Sequence, residues 1–220
     1  MTKTRLIGDV HGAMDRYLRI IEGAEQSVQV GDFGIGFRAN PTHLYDYKKH
    51  LFIRGNHDWP QGCAAEVNWI PDGSITVIPD TSDSVMYAGG AWSIDWAYRT
   101  EHVSWWRDEE LSQHALDKIV EDYDRARPKV MVTHEMPQSV VTEFGIKIFD
   151  VPSRTRDAFD RMLAIHRPSL WVGGHWHLPF DRVIYGTRFM VLDCDSWIDL
   201  DLAGDCLEGE QQRLAKLHYL

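Results

Sequence analysis

Five short apolar runs in this chain end in side chains of metal-ligating type, four of them beside glycine. Leu6-Ile7 runs into Gly8-Asp9-Val10-His11-Gly12, and Val28-Gln29-Val30 into Gly31-Asp32-Phe33-Gly34. Leu51-Phe52-Ile53 runs into Arg54-Gly55-Asn56-His57-Asp58, and Val130-Met131-Val132 into Thr133-His134-Glu135. Trp171-Val172 runs into Gly173-Gly174-His175-Trp176-His177. Asp9 and His11 are two residues apart, as are His175 and His177, so extended backbone points each pair to one face. Continuous apolarity marks strands covered on both faces. Ligands of layered α/β proteins gather at the carboxyl ends of such strands.

Further apolar runs at 75–78, 85–87 and 189–192 read as strands. Helical periodicity appears at Ala13 to Glu22, Glu109 to Ala126 and Arg156 to Ile165. Strands alternating with helices predict a layered α+β domain around a central sheet. No repeat or Pro/Gly-rich linker divides the chain, so residues 1–220 read as one domain. Weak patterning over 137–153 suggests a small cap or surface loop. The acidic stretch from Asp199 reads as a solvated tail over about 199–220, with a short helix from Gln211 to Leu217.

Singly, each polar residue has a structural reading. Asp9 or Asp32 could cap a turn, and His134 could be a satisfied core histidine. Their joint placement after five strands points to a ligand set. Carboxylates, an amide oxygen and imidazoles suit Mn²⁺, Fe, Zn²⁺ or Co²⁺ better than an all-oxygen Ca²⁺ site, and no thiolate enters the set. The donors exceed the needs of one ion. Two ions about 3.5–4 Å apart would clamp an in-line displacement at phosphorus and acidify a shared water.

In this order, Asp9-x-His11, Gly31-Asp32, Gly55-Asn56-His57-Asp58, His134 and Gly174-His175-x-His177 resemble the calcineurin-like metallophosphoesterase superfamily. The resemblance runs from residue 6 to 177 and is to bacterial and phage-type members. It is partial to the serine/threonine phosphatases of those sources, because Gly31 to Phe37 lacks their second acid and following arginine. It implies two mixed β-sheets packed as a sandwich and flanked by helices. It also implies a first ion held by Asp9, His11 and His177, and a second by Asn56, His134 and His175, with Asp32 bridging. Manganese is the first expectation for both ions. By the same resemblance, His57 protonates the leaving oxygen and Asp58 orients it, while Arg54 and Asn56 face the substrate; Arg38 joins them because its loop, soon after the second motif, should face the metals.

The function so implied is hydrolysis of phosphate monoesters or diesters by a metal-bound hydroxide. The expected substrate is a phosphorylated small molecule, nucleotide or protein. A non-catalytic scaffold or a nuclease of the same fold are the alternatives. The scaffold is disfavoured because every ligand position is filled. The balance of 23 basic against 33 acidic residues, net −10, repels phosphate backbones and disfavours nucleic acid. Three cysteines without CxxC spacing, an early charge at Lys3 and no apolar run of membrane length suggest a cytoplasmic protein with no membrane partner. Trp92, Trp96, Trp105 and Trp106 read as packing of a sheet against a helix, and Arg99 as a surface ion pair.

Overall fold

A computed structural model describes residues 3–146, 151–202 and 211–213. Its strands are β1 (Thr4–Ile7), β2 (Gln26–Gln29), β3 (His50–Phe52), β4 (Ile75–Val77), β5 (Ser84–Ala88) and β6 (Val130–Thr133). They continue with β7 (Leu170–Gly173), β8 (Phe180–Ile184), β9 (Thr187–Val191), β10 (Ser196–Leu200) and β11 (Gln212–Arg213). The α-helices are α1 (Met14–Ile21), α2 (Pro60–Cys63), α3 (Gln113–Ala126), α4 (Gln138–Val141) and α5 (Arg154–Ile165). One sheet runs β11-β10-β1-β2-β3 and the other β4-β5-β6-β7-β9-β8. In the first, β1, β2 and β3 are parallel and β10 antiparallel. In the second, β5, β6, β7 and β9 are parallel between antiparallel edges β4 and β8.

Alternation along each strand feeds two cores at once. Leu6, Val28, Val130, Val132, Leu170, Val172, Met190 and Ile198 meet between the sheets. Their sequence neighbours turn outward: Ile7 and Phe52 pack under α1, and Met131, Trp171 and Phe189 pack under α3 and α5. Both faces of the central strands are therefore buried, as their unbroken apolarity requires. The layered α+β sandwich expected from the sequence is the observed fold.

Several expectations are corrected. Helix α3 begins after Ser112, whose side chain accepts from the Ala115 amide, so Glu109 lies in the preceding loop. Helix α5 begins two residues earlier than expected, after Ser153, which accepts from the Arg156 amide. The stretch 137–153 is no simple surface loop, because α4 anchors it with fully buried Val140 and Val141; residues 147–150 lie outside the described residues. The acidic tail does not begin at Asp199, which lies in β10 opposite Arg5 and binds its guanidinium at 2.7 and 2.8 Å. Gln212 and Arg213 form β11 rather than a helix. The rest of the expected helix, 214–217, and the acidic residues 203–210 lie outside the described residues.

Candidate dinuclear metal centre

The carboxyl ends of β1, β2, β3, β6 and β7 deliver Asp9, His11, Asp32, Asn56, His57, His134, His175 and His177 to one edge of the sandwich. Their side chains form two knots of donor atoms with Asp32 between them. In the first, His177 Nε2 lies 3.0 Å from both Asp9 Oδ2 and His11 Nε2. In the second, Asn56 Oδ1 lies 3.0 Å from His134 Nε2 and 2.9 Å from His175 Nδ1. Asp32 faces both, with Oδ2 3.7 Å from His11 Nδ1 and Oδ1 3.4 Å from His134 Nε2.

With the rings unprotonated, several of these contacts bring acceptor to acceptor. His134 donates Nδ1–H to the Val30 carbonyl at 2.9 Å, so in the neutral ring Nε2 would be a lone pair aimed at Asn56 Oδ1 and Asp32 Oδ1. Two imidazole nitrogens also face each other at the His11–His177 contact. Asp32 Oδ2 is buried and accepts no hydrogen bond. Such an arrangement holds together only around positive charge.

Proton affinities tell the same story. Burial alone would depress His134, yet Asp32 and further acceptors raise its pKa to about 9. The Asp9 carboxylate, with Cys194 next, raises His177 to about 10. Burial opposes charge on Asp32 too, but the His134, His57 and His11 rings hold it well below the usual carboxylate range. A cation bound here would displace these protons from the imidazoles. The donor set fits two divalent ions of the borderline class.

The backbone is distorted to make these knots. His11, Asp32, His175 and His177 all have positive φ, between 45° and 67°. For non-glycine residues this costs roughly 1–2 kcal/mol each, and four cases at one edge mark strain held for function. Gly31 and Gly174 permit the close approach. A β-carbon on Gly31 would sit 2.3 Å from His134 Nδ1, and one on Gly174 would sit 2.1 Å from Asp9 Oδ1.

Support for the ligands comes from residues the sequence did not single out. Asn56 Nδ2 donates to Ser93 Oγ at 2.9 Å, and Ser93 Oγ donates to Glu109 Oε2 at 2.6 Å. This relay turns the amide oxygen toward the second knot. Ser93→Ala is expected to weaken binding of the second ion by about 10–100-fold without unfolding the chain. Isothermal titration of the metal-free variant measures it, and unchanged affinity would remove Ser93 from that role. Behind His175, Glu135 Oε2 lies 3.7 Å from Nε2 while Trp176 and the Met136 amide hold Oε1.

His57 sits at the rim of the centre. Its amide donates to Asp32 Oδ1 at 2.8 Å, and its Nε2 lies 3.9 Å from Asp32 Oδ2. Arg99 covers the ring, with Nη1 2.5 Å from Nδ1 and Nη2 3.2 Å from Nε2. Burial lowers the His57 pKa, and Arg99 lowers it further against the pull of Asp32. Arg99 does make the ion pair expected of it, to Asp95 at 2.7 Å, yet it also enters the site. The Arg38 stem packs over Gly12, next to His11, where a β-carbon would come within 2.8 Å of Cγ.

Two expected site residues serve the backbone instead. Arg54 is buried, its Nε on Asp72 Oδ2 at 2.7 Å and its Nη1 on the Asp108 and Glu109 carbonyls. A guanidinium so occupied has no fork to offer a phosphate. Asp58 makes no hydrogen bond to His57. Its two oxygens accept from the amides of Phe33, Gly34, Ile35 and Gly55 at 2.6–3.0 Å. It ties the turn after β2 to the turn after β3. Asp58→Ala strands four buried donors and is expected to cost about 3 kcal/mol or more. Urea denaturation measures this, and an unchanged midpoint would return Asp58 to a purely catalytic role. Cys194, which the sequence reading left out of the set, brings its Sγ within 4.8 Å of ligand-type atoms of His11 and His177.

The Trp residues divide between two roles. Trp106 is buried under Phe37, as packing predicts, while Trp96 is half exposed and tilted against Trp105.

Comparison with known proteins agrees with this geometry. The family model described as calcineurin-like phosphoesterase matches residues 2–179. No curated protein matches the sequence significantly. Among solved structures, a protein described as a 5′-nucleotidase from Staphylococcus aureus aligns over 96% of this chain and 52% of its own. The TM-score is 0.56 at 11% identity, and this chain spans about half the length of that protein. The phosphopantetheinyl hydrolase of Mycobacterium tuberculosis aligns over 88% and 90% of the two chains, with TM-score 0.48 and 12% identity. An archaeal phosphodiesterase aligns over 96% and 98%, with TM-score 0.45 and 10% identity. Among the described residues no helix is long and apolar enough to cross a membrane. The chain belongs to the calcineurin-like phosphoesterase family.

Proposed function

We propose that this chain hydrolyses phosphate monoesters or diesters by direct displacement across two divalent ions. The observation that carries the reading is the pair of donor knots flanking Asp32, with its buried, unpaired Oδ2. Asp9, His11 and His177 would hold one ion, and Asn56, His134 and His175 the other, with Asp32 between. Bound there, such ions supply an acidified water and neutralise charge on the phosphoryl group.

The remaining work falls to the chain. Arg99 and Arg38 bring cations to the rim where an anionic phosphoryl group enters. His57 gives a proton from Nε2 to the departing oxygen, because the shorter Arg99 contact is to Nδ1. Substrates are phosphorylated small molecules, nucleotides or phosphoproteins. The net charge of −10 disfavours long nucleic acids.

The test is chelated, purified protein titrated with Mn²⁺, Zn²⁺, Co²⁺ or Mg²⁺ and assayed on p-nitrophenyl and bis-p-nitrophenyl phosphate. Turnover restored by one of these ions is the expected result, and the ratio of the substrates sorts monoesterase from diesterase. Protein that binds no divalent ion and releases no p-nitrophenol would overturn the reading.

A further inference from the structure

We propose that Cys194 is a fifth protein ligand of the first metal ion, as a thiolate, and that it turns this position toward zinc, cobalt or ferrous iron and away from manganese. The inference rests on the dinuclear reading above and adds a donor to it. The ligand-bearing atoms of His11, His177 and Cys194 all lie within 4.8 Å of one another, and those of Asp9, His11, Asp32 and His177 do the same. His11 and His177 belong to both groups, so the sulfur meets the first knot through the two imidazoles that the groups share. A second observation points to a ligand at the shared imidazoles: Asp32 Oδ2, fully buried and without a hydrogen bond, lies 3.7 Å from His11 Nδ1.

The sulfur is held there by construction. Cys194 lies in the turn between β9 and β10, and its amide donates to Asp193 Oδ1 at 2.7 Å. The next residue, Asp195, donates its amide to the Asp9 carbonyl at 3.0 Å. Gly8 closes the gap, since a β-carbon there would lie 2.2 Å from the Asp193 carbonyl oxygen. The turn is thus fastened to the backbone of a metal ligand.

As the sulfur–metal bond forms, the thiol proton leaves to solvent. A thiolate among carboxylate and imidazole favours softer ions over Mn²⁺, in the direction the divalent series already runs.

The experiment loads chelated wild-type protein with Co²⁺ and records the near-ultraviolet spectrum. A second sample loaded with Zn²⁺ is examined by X-ray absorption. The expected results are a thiolate-to-cobalt charge-transfer band and a sulfur scatterer at about 2.3 Å from zinc. In Cys194→Ser the band disappears, and the preference for Zn²⁺ over Mn²⁺ falls at least about tenfold. Two bound cobalt ions, restored phosphoesterase turnover and no such band in the wild type would overturn the thiolate while leaving the dinuclear reading intact. Failure to bind cobalt at all would overturn both. The wild-type spectra decide the question even where the variant does not fold.

Discussion

Asp32→Asn is expected to cut metal-dependent turnover by about a thousandfold or more and to lower the bound metal from two ions per chain toward one or none. The substitution is nearly isosteric. It can keep an oxygen for the His57 amide, now 2.8 Å from Oδ1, so the loop after β3 stays in place. What it removes is the negative charge between two sets of donors, and it puts an amide N–H where a lone pair must face a cation. Metal-assisted stabilisation of charge at phosphorus is worth several kcal/mol, which sets the rate estimate at 1.36 kcal/mol per decade. Kinetics together with elemental analysis of the dialysed variant measure both quantities. A variant that kept two ions and a tenth of the wild-type rate would show that Asp32 does not bridge.

The substitution has a second consequence. In the absence of metal, Asp32 is what sustains the raised His134 pKa against burial. With the charge gone, His134 should lose its proton near neutrality, which NMR of the ring protons would detect.

The donors themselves were legible because each follows an apolar strand directly, and strands that are buried on both faces leave their carboxyl ends as the only place for polar groups. Less legible were the groups that arrive from elsewhere in the chain. Ser93 and Glu109 come from the segment after β5, Arg99 from a short turn, and Cys194 from a strand end with no glycine-histidine signature. Their relation to the site depends on how β5 and β9 are ordered in the second sheet, which local pattern does not encode. Proximity in sequence also misled. Arg54 and Asp58 flank two site residues, but each turns back onto buried backbone. There the carbonyls of Asp108 and Glu109 and the amides of three successive residues after β2 need partners. Strand β10 was hidden by its own acids. Ile198 and Leu200 face the core while Asp199 pairs with Arg5 on the other side, an alternation too short to stand out within an acidic stretch.

His57→Asn is expected to lower kcat by about 10²–10⁴-fold on alkyl phosphates while leaving both metal ions bound. The His57 side chain contributes to neither knot, and its backbone amide, which does hold Asp32, survives the change. The loss should shrink sharply for p-nitrophenyl phosphate, whose leaving group departs without a proton. That dependence separates a proton donor from a residue that merely packs the rim. One feature of the site argues against a resident proton: burial and the Arg99 guanidinium both lower the His57 pKa, so at neutral pH the free enzyme holds the ring uncharged. An anionic phosphoryl group arriving beside His57 would reverse this, because a nearby negative charge favours the imidazolium. On the proposed mechanism the ring gains its proton with the substrate. A variant with full activity on an alkyl ester would assign the leaving-group proton to another donor.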